Sequence, residues 1–351
     1  MHQVMATEKK REKFGVEELA TALSHFDIGI IHTIEEFPRG SRRAPKVVIR
    51  SDRGSFLFKR RAKGKDDLPK VAFTHQIQLS LASQNFPLPH LVGTRDENDS
   101  FLVLGQYIYE LFEYIHGGPY DHSADATFNA GRVLGLYHKL LAGFQSDYQP
   151  PTGSYHNAAA IRQAIGRTVE ALPLEGRPPA EEVTHTVEAI QQAYAACAER
   201  SEELGLPHWP AQIVHGDWHP GNMLFADRHV VAVIDYDAAR LQQRVIDLAN
   251  GALQFSILGG GEHPTQWPEE VDEDRFRSFM QGYDKINVIS KLELRALPYL
   301  MCEAMIAEAV LPIAATGHFG RIPGFPFLQM VRKKVSWIIE NVDRLYETLE
   351  G

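Results

Sequence analysis

IVHGDWHPGNMLF, residues 213–225, sets two histidines, an aspartate and an asparagine between short apolar runs, with Gly216 and Pro220-Gly221 breaking its middle. His215 and His219 stand four apart with an acid between them, the spacing of a helical zinc motif. Such a pair needs a helix to converge on one metal. Gly216 and Pro220 deny it one, so the zinc reading fails on geometry. The flanking Ile213-Val214 and Met223-Leu224-Phe225 read instead as extended chain entering and leaving a polar loop.

The stretch that follows, VVAVIDYDAAR at 230–240, supplies a partner. Residues 223–225 and 232–234 are short apolar segments joined through Ala226-Asp227-Arg228-His229, the pattern of a hairpin. If the ribbon is symmetric about positions 228 and 229, Asn222 and Asp235 face each other across it, with backbones about 5 Å apart. An amide oxygen and a carboxylate at that separation suit a hard cation such as magnesium, which takes a few oxygen ligands and keeps water. Asp217, five residues before Asn222, then sits in the loop entering the same mouth.

Outward from this loop, the first third of the chain alternates like an antiparallel sheet. Residues 28–37, 46–51 and 55–61 are strand-like, with Asp52-Arg53-Gly54 as the turn between the last two. A helix is expected over 69–84, stopped by Asn85-Phe86-Pro87, and two more strands over 101–104 and 107–112. Past Gly117-Gly118-Pro119 the texture turns helical, first at 124–144, where Val133, Leu134, Tyr137, Leu140 and Leu141 share a face, then at 180–204. From 243 on the pattern is helical again, interrupted at 259–268 and 316–326. The fold class expected is α+β: a small sheet part with one helix over 1–113, and a larger, mainly helical part over 114–351.

Bulk properties narrow the function. A net charge of -9 over 351 residues argues against nucleic acid as a partner, yet residues 39–70 carry twelve Lys or Arg against three acids, net +9, leaving -18 elsewhere. That basic stretch either faces a small polyanion or is a pair of solvated strands. Cys197 and Cys302 are too few for a disulfide framework, which points to a reducing cytoplasm. Residues 1–15 are polar and do not read as a signal peptide, and no apolar run reads as long enough to span a membrane.

The order H-x-D-x-x-x-x-N, followed by an aspartate at a strand end, matches the catalytic arrangement of protein kinases. HGDWHPGN together with VIDYD resembles the aminoglycoside phosphotransferase and choline kinase branch of the kinase-like fold. VIDYDAARLQQRVIDLANGALQFS, residues 233–256, looks like the bacterial group that includes type II homoserine kinase and the spore-coat kinase-like proteins. The resemblance implies a bilobal protein-kinase-like fold and an ATP- and Mg2+-dependent transfer of phosphate to a hydroxyl of a small polar metabolite such as an amino alcohol, hydroxy amino acid, amino sugar or aminoglycoside-like compound. In that scheme Asp217 orients the hydroxyl and takes its proton, while Asn222 and Asp235 hold the metal. His215 supports the loop, with His219 and Trp218 shaping it, and Asp247 ties it to the next helix. Lys59 contacts the nucleotide phosphates, or Arg60 or Arg61 does if the strand register is off by one. Backbone groups from Glu113 to Ile115 meet the base, PRGSRR at 38–43 cradles phosphate, and Asp237 is a supporting acid or a helix cap.

One departure stands out. Kinase-like proteins pair the strand lysine with a glutamate on the small-lobe helix, and residues 68–84 hold no acid; Gln76 or His75 occupies the place. This leaves open a weak enzyme, another lysine anchor, or a nucleotide-binding regulatory or coat-associated protein without turnover. A protein kinase fits less well, because the helix carrying Asp247 follows Asp235 with no room for an activation segment. For the acceptor, the acids Glu262, Glu269, Glu270, Asp272, Glu273 and Asp274 suit a cation or form a solvated face, and Glu303 and Glu308 are further candidates for cation recognition. Oligomeric state is left open by the sequence.

Overall fold

In the computed structural model, which describes residues 11–173, 178–261 and 263–350, the chain divides into two compact units. Among the described residues, the first contains 11–117 together with Gln145–Gln149 and Val231–Asp237. Its elements run α1 (Val16–Leu23), β1 (Ile31–Glu36), β2 (Lys46–Ser51), β3 (Gly54–Arg60), α2 (Leu68–Ala82), β4 (Leu102–Leu104) and β5 (Tyr107–Glu113). The strands form one antiparallel sheet in the order β1-β2-β3-β5-β4. Alternation assigns each face a job. Val47, Ile49, Phe56, Phe58, Tyr109 and Leu111 share a core with Ala22, Leu23 and Phe26, and Phe58 stacks on Tyr109 at 5.6 Å. On the opposite face Lys46, Lys59 and Glu110 line up in one cross-strand row.

Asp67 caps α2 by accepting from the Lys70 amide, and Pro69 in the first turn costs no hydrogen bond there. The helix α1 was not expected. Eight residues with only Ala22 and Leu23 buried carry too short a stripe to register as periodic.

The second unit opens with α3 (Ala124–Leu140), α4 (Ala159–Ala171) and α5 (Ala180–Glu203). Next come β6 (Ala211–Val214), β7 (Met223–Ala226), β8 (His229–Val233, its last residues already in the first unit) and β9 (Arg240–Gln243). The rest is α6 (Arg244–Ser256), α7 (Glu273–Asp284), α8 (Lys291–Thr316), the ribbon β10 (His318–Phe319) and β11 (Ile322–Pro323), α9 (Gly324–Glu340) and α10 (Val342–Glu350). β9 pairs antiparallel with β6, Ile213 opposite Leu241, and was missed because Gln242 and Gln243 make it polar.

Two expectations need correction. The β7–β8 ribbon turns on Asp227-Arg228, both left-handed with φ of 48° and 64°, as a two-residue hairpin turn requires. Its centre is therefore one residue earlier than the symmetry that set Asn222 opposite Asp235, and that numerical argument falls. Second, α8 is by length and composition long and apolar enough to cross a bilayer, contrary to the sequence reading. In the fold, 78% of its apolar window is buried, and it serves as the central helix of the second unit.

Candidate active site

β6 delivers the chain into the polar loop, and Asp247 in the first turn of α6 holds that loop in place. Its carboxylate accepts from the backbone amides of His215 (3.0 Å) and Gly216 (2.9 Å) and from His138 Nε2 (3.1 Å). Gly216 has φ 76°, and a Cβ there would come within 2.5 Å of the Ala238 carbonyl oxygen, so only glycine allows the bend. The His215 ring is fully buried, edge-on to Trp218 at 5.4 Å and to Tyr137 at 5.9 Å. The apolar ring packing of His215 and Trp218 is what leaves Asp217, between them in sequence, half-exposed at the surface of the loop.

The Asn222 amide Nδ2 donates to Asp217 Oδ2 (2.8 Å) and to its backbone oxygen (2.9 Å), while His219 Nε2 lies 3.5 Å from the same carboxylate. Burial acts to raise the Asp217 carboxyl, but His219 and the Asn222 amide outweigh it and hold the pKa below the usual aspartate value. The group is an ionised acceptor at neutral pH. Glu308, on α8, completes this side of the site. It is reached by solvent yet crowded by protein, and Gln254 Nε2 donates to both its oxygens at 2.7 and 2.6 Å. Burial first, then the Asp217 charge, pushes its pKa up to about 7.

In the first unit, the acid that could not be found on the helix comes from the neighbouring strand. Lys59 Nζ meets Glu110 Oε2 at 2.8 Å, its direct cross-strand partner, and His75 Nε2 on α2 donates to Glu110 Oε1 at 2.7 Å. Arg61 also reaches Glu110, at 2.6 Å, and with Lys65 binds Asp237. Burial would raise the Glu110 carboxyl; Lys59, the His75 hydrogen bond and Arg61 reverse that and keep it well below the usual glutamate range. Gln76 is not part of this cluster. Its amide donates to Asp147 and accepts from Ser146, pinning residues 145–149.

The remaining expected residues divide. Asp235 is exposed and left-handed, with φ 64°, a conformation that costs an aspartate on the order of 1 kcal/mol and is typical of functional positions. Asp237 is the acid for Arg61 and Lys65 rather than a helix cap. Arg60 points to the other face, toward Glu12 and Glu18, which removes it as an alternative to Lys59. The Glu113 amide is spent on the His90 oxygen and the Tyr114 amide on Ser55, while Ile115 makes no such backbone bond among the described residues. Glu303 is buried and consumed by His156 and the Asn157 amide, so it faces no ligand. Of the acid run, Glu262 lies outside the described residues. Glu269, Asp272, Glu273 and Asp274 pair with Lys333, Arg275, Arg344 and Arg277, a solvated, self-neutralised face.

Comparison with known proteins gives the family and the fold. Residues 33–288 match the model of a family described as the phosphotransferase enzyme family. A homoserine kinase of Granulibacter bethesdensis (strain ATCC BAA-1260 / CGDNIH1) is 23% identical over 329 residues, covering 90% of both chains. Among solved structures, the microcompartment-associated aminopropanol kinase superposes with a TM-score of 0.69 at 13% identity, covering 94% of this chain and 98% of the other. An amicoumacin kinase in complex with AMP-PNP, Ca2+ and amicoumacin does so with a TM-score of 0.65 at 10% identity, covering 93% and 94%. At such identities the structures establish a common fold, the α+β kinase-like one.

Proposed function

Since this chain belongs to the phosphotransferase enzyme family and is a small-molecule kinase, we propose that it transfers the γ-phosphate of ATP, with Mg2+, to a hydroxyl of a small polar metabolite that also carries an amine. Amino alcohols, hydroxy amino acids, amino sugars and aminoglycoside-like compounds share that chemistry. The observation that carries the reading is the ionised Asp217, held by His219 and Asn222, with the Glu308–Gln254 pair close enough for its protonation to feel the Asp217 charge. The homoserine kinase and the aminopropanol kinase are named for acceptors with both an amine and a hydroxyl.

Phosphoryl transfer asks a protein for alignment and charge neutralisation more than covalent chemistry. Asp217 orients the acceptor hydroxyl and takes its proton as the new O–P bond forms, and the β–γ bridging oxygen leaves with its electron pair on ADP. Glu308, ionised above pH about 7, receives the acceptor's ammonium. Lys59, steadied by Glu110, binds the phosphate chain, the backbone near Ile115 meets the base, and Asp247 and His215 keep the loop in shape. Among the described residues no three His, Cys, Asp or Glu side chains form a metal cage. Hard oxygen donors are nevertheless present: Asn222 turns its N–H groups to Asp217, leaving its Oδ1 for other partners, and Asp235 offers a carboxylate. Each is the kind of donor that suits Mg2+, which is bound through one or two side chains plus phosphate oxygens. A metal held by such donors would neutralise charge on the phosphates.

Transfer from labelled ATP across a panel of these acceptors tests the reading. Wild type should phosphorylate at least one, and Asp217→Ala should reduce kcat by about 10²–10⁴ with the KM for ATP little changed. Full activity in the variant would remove Asp217 from its role.

A further inference from the structure

Lys46 opens β2 directly across from Lys59 on β3, whose other cross-strand neighbour is Glu110 on β5. Side chains paired this way share a face, so the row reads cation, cation, acid, and like charges directly opposite destabilise a sheet. Glu110 answers Lys59 at 2.8 Å, but among the described residues no carboxylate stands within ion-pair reach of Lys46. Its environment deepens the mismatch. Burial, then Lys59, with Arg11 and Lys65 behind them, lowers the Lys46 pKa against the pull of Asp235.

The ammonium also has a definite position. Gly40, the single glycine of PRGSRR, has φ 73°, and a Cβ on it would lie 2.7 Å from Lys46 Nζ, so that nitrogen rests directly against the loop. The loop itself is fixed from behind: Arg11 donates to the carbonyl oxygens of Pro38 (2.7 Å), Gly40 (3.2 Å) and Ser41 (2.9 Å). A fixed pair of cations answered by one acid, beneath a held loop, calls for an anion bearing several charges spread along its length. A phosphate chain has that form, with acceptor oxygens on each phosphorus.

We propose that Lys46 is a second polyphosphate ligand, gripping the triphosphate of the nucleotide together with Lys59 beneath Gly40. The sequence signal was a weak, one-glycine loop; the second lysine supplies the anion affinity that the loop's backbone alone would lack. This rests on the reading of the chain as an ATP-dependent kinase.

Titration calorimetry on the full chain with ATP, tripolyphosphate and adenosine, for wild type, Lys46→Met and Lys46→Arg, tests it. Methionine keeps the apolar stem and removes the charge. Lys46→Met is expected to weaken ATP and tripolyphosphate by about tenfold or more and to leave adenosine unchanged, while Lys46→Arg stays within a few-fold of wild type. In turnover the KM for ATP should rise by a similar factor with kcat nearly constant. ATP affinity unchanged in Lys46→Met overturns the inference and leaves the kinase reading standing. Equal loss of adenosine would assign Lys46 to loop shape and overturn it too. Wild type that binds neither ATP nor tripolyphosphate overturns both.

Discussion

Glu308 is the residue whose ionisation is easiest to follow, because its pKa is pushed up to about 7 while an unfolded glutamate ionises near 4.5. Above pH 7 it is charged, and below it is neutral, so an acceptor ammonium loses its partner as pH falls. KM for the acceptor should therefore climb below pH 7, approaching tenfold per pH unit, and Glu308→Gln should flatten that climb; a wild-type KM that is level from pH 8 to 6 would refute the assignment. Stability moves the opposite way. A carboxyl raised in the folded state binds its proton more tightly there than in the unfolded chain, so its charged form costs stability above pH 7, and the cost disappears by pH 4.5. Glu308→Gln should melt higher than wild type at pH 8 and level with it at pH 5. Glu110 lies on a strand, whereas the expected acid belongs to the helix. In YIYELFE it occupies an alternating strand position, and setting β5 against β3 puts it opposite Lys59.

Among the elements, the loop between β6 and β7 tolerates little change. Gly216→Ala forces a Cβ against the Ala238 carbonyl at 2.5 Å and strains a left-handed backbone, a combination expected to cost about 2–4 kcal/mol. Thermal unfolding should fall by several degrees and kcat should drop with it, since the Gly216 amide is one of the two that Asp247 holds. A variant with wild-type melting and activity would show that the loop relaxes around the new methyl. The strands of the first sheet were legible because alternation and turn residues agreed, as at Lys46–Ser51, whose bounds match the pattern read from sequence. The register of the β7–β8 ribbon was not. A shift of one residue in the turn moves the cross-strand partner of every residue by two, and Asp227-Arg228 carries no glycine to mark the left-handed pair.

At the level of the whole molecule, ligand linkage gives a test that needs no acceptor. ATP with Mg2+ at a hundred times its Kd should stabilise the fold by about 2.7 kcal/mol, read as a rise in melting temperature. Chelation of Mg2+ or Asp235→Asn should remove most of that rise; a full shift without metal would take Asp235 out of metal binding. The change from strand to helix texture after Gly117 made the fold class readable. Nothing in 145–149 or 231–237 announces that these short pieces belong with the first unit, because polar contacts rather than a periodic pattern tie them to it, as Gln76 does with Ser146 and Asp147, and Arg61 and Lys65 with Asp237.

That discontinuity bears on how the chain is made. A ribosome that has completed Gly117 still has 120 residues to add before Asp237 exists. At synthesis rates of about 5–20 residues per second, this is a wait of roughly 6–24 s. During it the nascent chain carries Lys65 without its carboxylate partner and Arg61 with Glu110 as its one acid, and a gene truncated after Gly117 would make that interim state permanent.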